Sequence, residues 1–427
     1  MEPRPQGDVL GILSHAIKMF ESALAEADSN NQPMIGYNLA TALDARSSLS
    51  RFAEIHTWTE DRAEDRQRAR KLYRFAGQSV VAPEEIRCQA WANLGRNLYL
   101  GSRVGEAADA CVEALRINPK FGPAKAFLAK YVWRGQQTKP ESVGYAIAVM
   151  HATSAVDHQA DLLRLVPGDG LLSEIRDIAG EPAGPSASRQ PFAEWMAIER
   201  VGFGLEEVGF EDTDTGEHLP MMASLSRTGR GTDAGLLTAL SNDLKSDYLL
   251  ARSLAWQAET DPRADADQYV RTSSGERFGR EIALLRLSLV SAMNLVDRCS
   301  LGWAIRAGIE VKNIDARRVW SQTTNGQGPL RPEFTEWISS SPEWRQIAAA
   351  AEVRYDLDPR SGFLGYLTDA RNASVHRTLS ASTDRQDVRN DKGHEVIQVE
   401  TLRKYTLDAL RLARNTIRLA AYGHVSP

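Results

Sequence analysis

Two stretches of the chain share one pattern, and this repeat limits the possible fold more than any other feature. Gly36–Leu43 and Trp91–Leu98 both have Asn-Leu at their third and fourth positions and leucine at their eighth. Apolar residues at this helical spacing fill the groove between two packed helices. Gly95 and Ala107 are small enough to let such helices approach closely. The repeat therefore predicts an array of stacked helical hairpins.

The second copy resembles a tetratricopeptide repeat (TPR), a unit of about 34 residues. Counted from Cys88, its large, small and proline positions are occupied, and the last of them is Pro119. Phe121–Val132 has the pattern of the first helix of a further repeat. We therefore expect a TPR-like helical repeat domain over residues 1–166. The resemblance implies a protein or peptide partner that binds to this domain.

A charged segment lies between the two clear copies of the repeat. Thr57–Arg74 is crowded with arginine, aspartate and glutamate. The pattern predicts a long second helix whose charges face solvent, because charge runs usually form a solvated face. A stripe that binds a partner is the alternative.

Residues 167–233 are predicted to be a linker with a connecting element. The run Pro167–Gly170 interrupts the helical pattern, and Glu181–Pro191 is rich in proline, alanine, glycine and serine. Such composition is typical of a connection between domains. A short element over Phe192–Phe203 and a polar loop over Glu211–Asp233 follow.

Long amphipathic helices dominate the rest of the chain, so residues 234–427 are predicted to be an all-α bundle. Arg277–Arg306 is apolar over most of its circumference, which is typical of a central helix. A polar loop is expected over Ser380–Gly393. The other predicted helices are Leu236–Ala258, Pro342–Tyr355, Gly362–Leu379 and Val399–Tyr422.

Composition excludes several classes of protein. A formal net charge of −5 argues against broad coating of nucleic acid, so any such contact must be local. No apolar run reaches the roughly 20 residues of a membrane span, and Met1–Val9 lacks the layout of a signal peptide. Three separated cysteines predict buried thiols in a cytoplasmic setting. No cofactor or metal is predicted, since His151 and His158 are interpreted as solvated rather than as metal ligands.

The candidate site is Arg371–His376, which combines a cation, an amide and an imidazole within about a turn and a half of helix. Arginine grips phosphate with a planar fork, and histidine moves protons near neutral pH. Asn372 and His376 share one helix face, and Arg371 projects from its flank. Similar Arg-to-His spacings occur at Arg51–His56, Arg389–His394 and Arg418–His424, but only Arg371–His376 lies on a predicted helix within the bundle. A buried core histidine beside an arginine ion pair is the alternative interpretation.

Thr368–His376 resembles the signature of HEPN domains (higher eukaryote and prokaryote nucleotide-binding). Further stretches resemble, in order, a HEPN subfamily with N-terminal tetratricopeptide repeats: Trp195–Leu205, Leu244–Ala258, Leu285–Cys299 and the closing helix from Thr401. The resemblance covers the repeats loosely and about residues 190–422. It implies a homodimer in which the Arg-His pairs of two protomers face one composite cleft.

Many HEPN domains are metal-independent endoribonucleases of toxin or antiviral-defence systems. In that chemistry the 2′-hydroxyl of the RNA attacks the adjacent phosphate and leaves a 2′,3′-cyclic phosphate. The resemblance makes His376 the general acid or base and Arg371 the group that stabilises the phosphoryl charge. Asn372 is the polar residue after the arginine, and Asp297 of the central helix orients Arg371 or His376. The alternative is a non-catalytic TPR adaptor whose HEPN module dimerises or binds a nucleotide.

Overall fold

The computed structural model describes residues 6–53, 60–136, 143–164, 170–181, 195, 199, 234–260, 279–310, 315–323, 326, 328–341, 344–376, 378–382, 388–389 and 394–421. Fifteen helices and three short strands lie within these residues. Helices build both hydrophobic cores, so the all-α prediction is confirmed. The polar loop predicted over Glu211–Asp233 lies outside the described residues.

The N-terminal part is a stack of helices in which each helix packs on the next. Their bounds are α1 Gln6–Glu26, α2 Gln32–Ala53, α3 Glu60–Gln78, α4 Glu84–Leu100, α5 Val104–Ile117, α6 Gly122–Gln136, α7 Val143–Arg164 and α8 Leu171–Ala179. A Cβ atom on Gly95 would lie 2.9 Å from the carbonyl oxygen of Ala107, so α4 and α5 approach as closely as the repeat predicts. Leu171, Ile175 and Ile178 belong to the same core, which therefore extends beyond residue 166.

The C-terminal part is a bundle built around one long helix. Its helices are α9 Ala234–Thr260, α10 Arg280–Arg306, α11 Ala316–Trp320, α12 Pro332–Ser340, α13 Trp344–Asp356, α14 Gly365–His376 and α15 Val399–Ala421. Helix α10 packs against α9, α11, α14 and α15, as its apolar circumference predicts. No helix among the described residues is both long and apolar enough to cross a membrane.

A small sheet occupies part of the region that the sequence predicts to be a polar loop. Strands β1 Thr378–Ser382, β2 Val388–Arg389 and β3 His394–Gln398 form it in the order β1-β3-β2. β1 runs parallel to β3 and β2 runs antiparallel to it. The loop prediction over Ser380–Gly393 is therefore wrong for the paired residues. The physical reason is that short strands of mixed polarity gain order from pairing across the sheet rather than from their own composition.

The charged helix α3 does not simply face solvent, so that prediction is wrong for several of its residues. Arg66 and Arg70 are buried against the C-terminal bundle and both pair with Glu352 of α13, with Arg70 Nη2 lying 2.8 Å from Glu352 Oε2. Arg103, which precedes α5, pairs with Asp356 at the end of α13. Burial raises the pKa of Glu352, but the two guanidiniums outweigh it and lower that pKa to about 2. The charges of α3 therefore join the two domains.

A second row of α3 side chains contacts the connection that leads into α14. Gln67 Nε2 donates to the carbonyl oxygen of Ser361 at 2.6 Å, and Arg74 Nη1 donates to that of Phe363 at 3.4 Å. Arg74 also donates to the hydroxyl of Tyr366, in the first turn of α14, at 2.7 Å. The N-terminal domain thus touches the polypeptide directly before the candidate site.

Candidate active site

Helix α14 carries the Arg371–His376 motif and is shorter than the predicted span of Gly362–Leu379. Its first residue is Gly365, because residues 357–364 form a tight turn in which Leu364 N donates to the carbonyl oxygen of Asp356 at 2.8 Å. A Cβ atom on Gly362 would clash with that same carbonyl. After His376 the chain enters β1, so the motif lies in the last two turns of the helix.

Arg371 is held by an ion pair with Asp297 of the central helix α10. Arg371 Nη1 lies 2.7 Å from Asp297 Oδ2, and their side chains are 25% and 9% exposed. The other carboxylate oxygen, Oδ1, accepts a hydrogen bond of 2.7 Å from the backbone N of Ala316 at the start of α11. One buried carboxylate therefore fixes both the beginning of α11 and the guanidinium of the motif.

Opposing effects set the pKa of Asp297. Burial raises its pKa, while Arg371 and the N–H of Ala316 lower it, and the result is a pKa of about 6 compared with an ordinary 3.8. Burial thus outweighs the ion pair. The carboxylate is charged at neutral pH and becomes protonated under mild acid, which would release the charge of Arg371.

The other motif residues lie on the same helix. Asn372 is half-buried, and His376 is the last residue of α14, although its side chain lies outside the described residues. Arg371 is partly exposed rather than sealed in the core. The structure therefore brings Asp297 to Arg371 and leaves Arg371 open to solvent on one side. The catalytic roles of Arg371, Asn372, His376 and Asp297 stay predictions.

Sequence reasoning missed one residue next to this site, Arg286 of α10. Its Nη2 donates to the carbonyl oxygen of Ser374 at 3.0 Å. Burial lowers the pKa of the Arg286 guanidinium. The available signal was its place in the sequence, because Arg286 stands between Leu285 and Leu287 in a leucine-rich stretch of the central helix.

Residues 232–421 match the family model described as LA2681-like HEPN. This part of the chain, somewhat less than half of its length, is similar to that family. The matched range runs from α9 to α15 and includes Asp297, Arg286 and the whole of the Arg371–His376 motif. The matched range thus coincides with the C-terminal bundle, and the HEPN resemblance predicted for this part of the chain is confirmed. Searches of curated proteins and of solved structures returned no match.

The N-terminal helices lie outside the range of the HEPN match, and their assignment as tetratricopeptide repeats stays a prediction. The two histidines of α7 differ in environment. His158 is exposed, as expected, whereas His151 is half-buried, and burial together with Lys125 lowers its pKa to about 4. The described residues hold no cluster of three or more side chains suited to binding a metal ion.

Proposed function

We propose that the HEPN domain is a metal-independent endoribonuclease whose site is centred on Arg371 and His376. The observation that carries this proposal is the Arg371–Asp297 ion pair inside a matched HEPN domain. The pair fixes a partly exposed guanidinium five residues before a histidine. A preorganised cation beside a group that titrates near neutral pH is what the cleavage of a phosphodiester needs.

The proposed reaction is an internal transfer of the phosphoryl group. The 2′-hydroxyl loses its proton and its oxygen attacks phosphorus, while the bond from phosphorus to the 5′-oxygen breaks and that oxygen takes up a proton. His376 moves one of these protons, and Arg371 stabilises the charge on the non-bridging oxygens. Asn372 orients the ring of His376 or the RNA. The products are a 2′,3′-cyclic phosphate and a free 5′-hydroxyl.

We further propose that two copies of the chain combine their motifs in one cleft. Three large apolar residues near the motif are exposed: Leu250, Leu287 and Val375, at 56%, 56% and 50%. Hydrogen bonds between their sequence neighbours connect the three segments, since Ser288 donates to the carbonyl of Ala251 and Arg286 to that of Ser374. Exposed apolar groups of this kind favour contact with a second protein surface.

The N-terminal domain is proposed to regulate the nuclease as part of a cytoplasmic toxin or antiviral-defence system, by binding a protein or peptide. The contacts of α3 with residues 360–366 support this proposal, because they connect the N-terminal domain directly to the start of α14. The alternative is a non-catalytic adaptor with a HEPN dimerisation or nucleotide-binding module. An ion pair with a buried carboxylate would also serve as a structural tie in such a module, but the partly exposed guanidinium favours the nuclease.

The experiment compares RNA cleavage in EDTA by purified wild-type protein, His376→Ala and the double variant Arg371→Gln with Asp297→Asn. The double variant removes both charges together, so that no buried carboxylate is left unpaired. We expect loss of cleavage in both variants and cyclic phosphate ends on the wild-type products. His158→Ala, an exposed histidine in the N-terminal domain, is the matched control. Equal cleavage by His376→Ala and wild type would refute the nuclease proposal, and an intact dimer without any cleavage would favour the adaptor.

A further inference from the structure

The guanidinium of Arg286 reaches the C-terminal end of α14, the helix that carries the motif. It projects from α10, and its Nη2 donates to the carbonyl oxygen of Ser374, two residues before His376. Ser374 belongs to the last turn of α14, where backbone carbonyls have no partner within the helix. A guanidinium has five N–H donors, so this single bond leaves most of them available.

Arg286 has no carboxylate partner among the residues that the structure describes. Two other arginines of the same region do. Arg298, on the same helix, pairs with Asp243 and Asp247, and Arg371 pairs with Asp297. A partly buried cation without an anion is costly, and arginine cannot escape that cost by losing its proton. An anionic ligand at this position would offset the cost of the unpaired charge.

We infer that Arg286 binds a phosphate of the RNA substrate next to His376. This inference rests on the proposed function and adds a second cation to it. Asp297 offsets the charge of Arg371, so Arg371 stabilises a phosphodiester through its remaining N–H donors while the pair adds little net positive charge. Arg286 brings one, and its exposed neighbour Leu287 shows that this part of α10 reaches the surface. Arginine is suited to this role because its planar fork binds phosphate through two parallel hydrogen bonds.

A purely structural role would make Arg286 a cap of α14 and nothing more. The two roles predict different responses to salt. A cap contributes to stability, whereas a phosphate contact releases counterions and steepens the dependence of RNA affinity on salt concentration. Comparing Arg286→Gln with Arg286→Lys separates them, because the first removes the charge and the second keeps it, and only a phosphate contact makes the salt dependence follow the charge.

The test measures the affinity of His376→Ala protein for a short fluorescein-labelled single-stranded RNA over a series of salt concentrations. Adding Arg286→Gln should weaken binding about tenfold at low salt and lower the slope of log affinity against log salt by about 0.7, the value of one contact with a single strand. Adding Arg286→Lys should preserve the slope. Adding Arg298→Gln, on the same helix but already paired, is the control and should leave both quantities unchanged.

The outcomes separate this inference from the function on which it rests. If RNA binds and is cleaved, but Arg286→Gln binds it with the wild-type affinity and slope, the inference about Arg286 is wrong and the nuclease proposal stands. If the wild-type chain neither binds nor cleaves RNA, both are wrong. A raised KM with an unchanged slope would also count against the phosphate contact.

Discussion

Arg371 and Asp297 form an ion pair in which Nη1 and Oδ2 lie 2.7 Å apart, although Asp297 is buried and Arg371 is only partly so. The second oxygen of Asp297 accepts from the backbone N of Ala316. The central helix, the short helix α11 and the motif helix α14 therefore meet at one carboxylate. Substitutions of Asp297 separate the backbone bond from the ion pair, because the two bonds require different atoms.

Asp297→Asn should be less damaging than Asp297→Ala. The amide oxygen of asparagine can still accept from Ala316 N, whereas alanine leaves this buried N–H without a partner. We expect Asp297→Ala to have a free energy of unfolding lower than that of Asp297→Asn by about 1–3 kcal/mol, the cost of an unsatisfied buried group. Urea unfolding followed by circular dichroism measures the difference. Asp243→Ala, at an exposed carboxylate paired with Arg298, should change stability little. Equal losses in the two Asp297 variants would show that the Ala316 bond contributes nothing.

The raised pKa of Asp297 predicts how stability depends on pH. The folded chain keeps a proton on this group up to about pH 6, whereas the unfolded chain releases it near 3.8. The folded state therefore binds more protons between these values, and its stability falls as the pH rises from about 4 to about 6. The loss is on the order of 3 kcal/mol at most. The difference in free energy of unfolding between wild type and Asp297→Asn, measured across this range, should follow that fall. A rise with pH would contradict the assigned pKa.

One buried glutamate pairs with two arginines at the interface between the domains. Glu352→Gln removes the negative charge that Arg66 and Arg70 share, and both arginines are nearly inaccessible to solvent. Breaking a buried pair on one side costs about 3–5 kcal/mol, because it leaves an uncompensated charge. The matched control is Glu21→Gln, which removes the exposed partner of Arg68 on the same helix α3 and should cost less than about 1 kcal/mol. Thermal and urea unfolding of the three proteins test this, and equal losses would mean that the interface does not hold the domains together.

Helical periodicity predicted most of the fold, since apolar spacing alone locates α9, α10 and α15 to within a few residues. It failed where order comes from distant partners. Strand β3, His394–Gln398, was predicted as no element, because its pairing with β1 is invisible to a local pattern. The same limit applies to α3. Arg66 and Arg70 are four residues apart on one face, but only the position of Glu352 decides that this face is buried.

In the candidate site, too, residues could be predicted from local patterns but not from contacts between distant parts of the chain. A local signature selected Arg371 and His376, and a resemblance selected Asp297, which the structure does bring to Arg371. Arg286 could not be selected in this way, because its importance arises from a contact with Ser374, 88 residues further along the chain. Its position among leucines was the only local clue. Patterns in a single sequence identify functional residues that lie on the same helix or strand. Residues that come together from different elements are identified only once the packing of those elements is known.

Side chains of α3 form hydrogen bonds with the start of α14, so removing these bonds should make the start of α14 more dynamic. Arg74 Nη2 donates to the hydroxyl of Tyr366 and lies 3.2 Å from Asp408 Oδ2, so Arg74→Met removes both bonds while preserving much of the side-chain volume. We expect amide hydrogen exchange over residues 357–371 to become about tenfold faster, the effect of losing roughly 1.4 kcal/mol of local stability. Exchange in the centre of α10 should stay unchanged. Arg68→Met, on the same helix but paired within the N-terminal domain, is the control. If exchange accelerates in α3 alone, the N-terminal domain does not control the position of the motif helix, and regulation through this contact is ruled out.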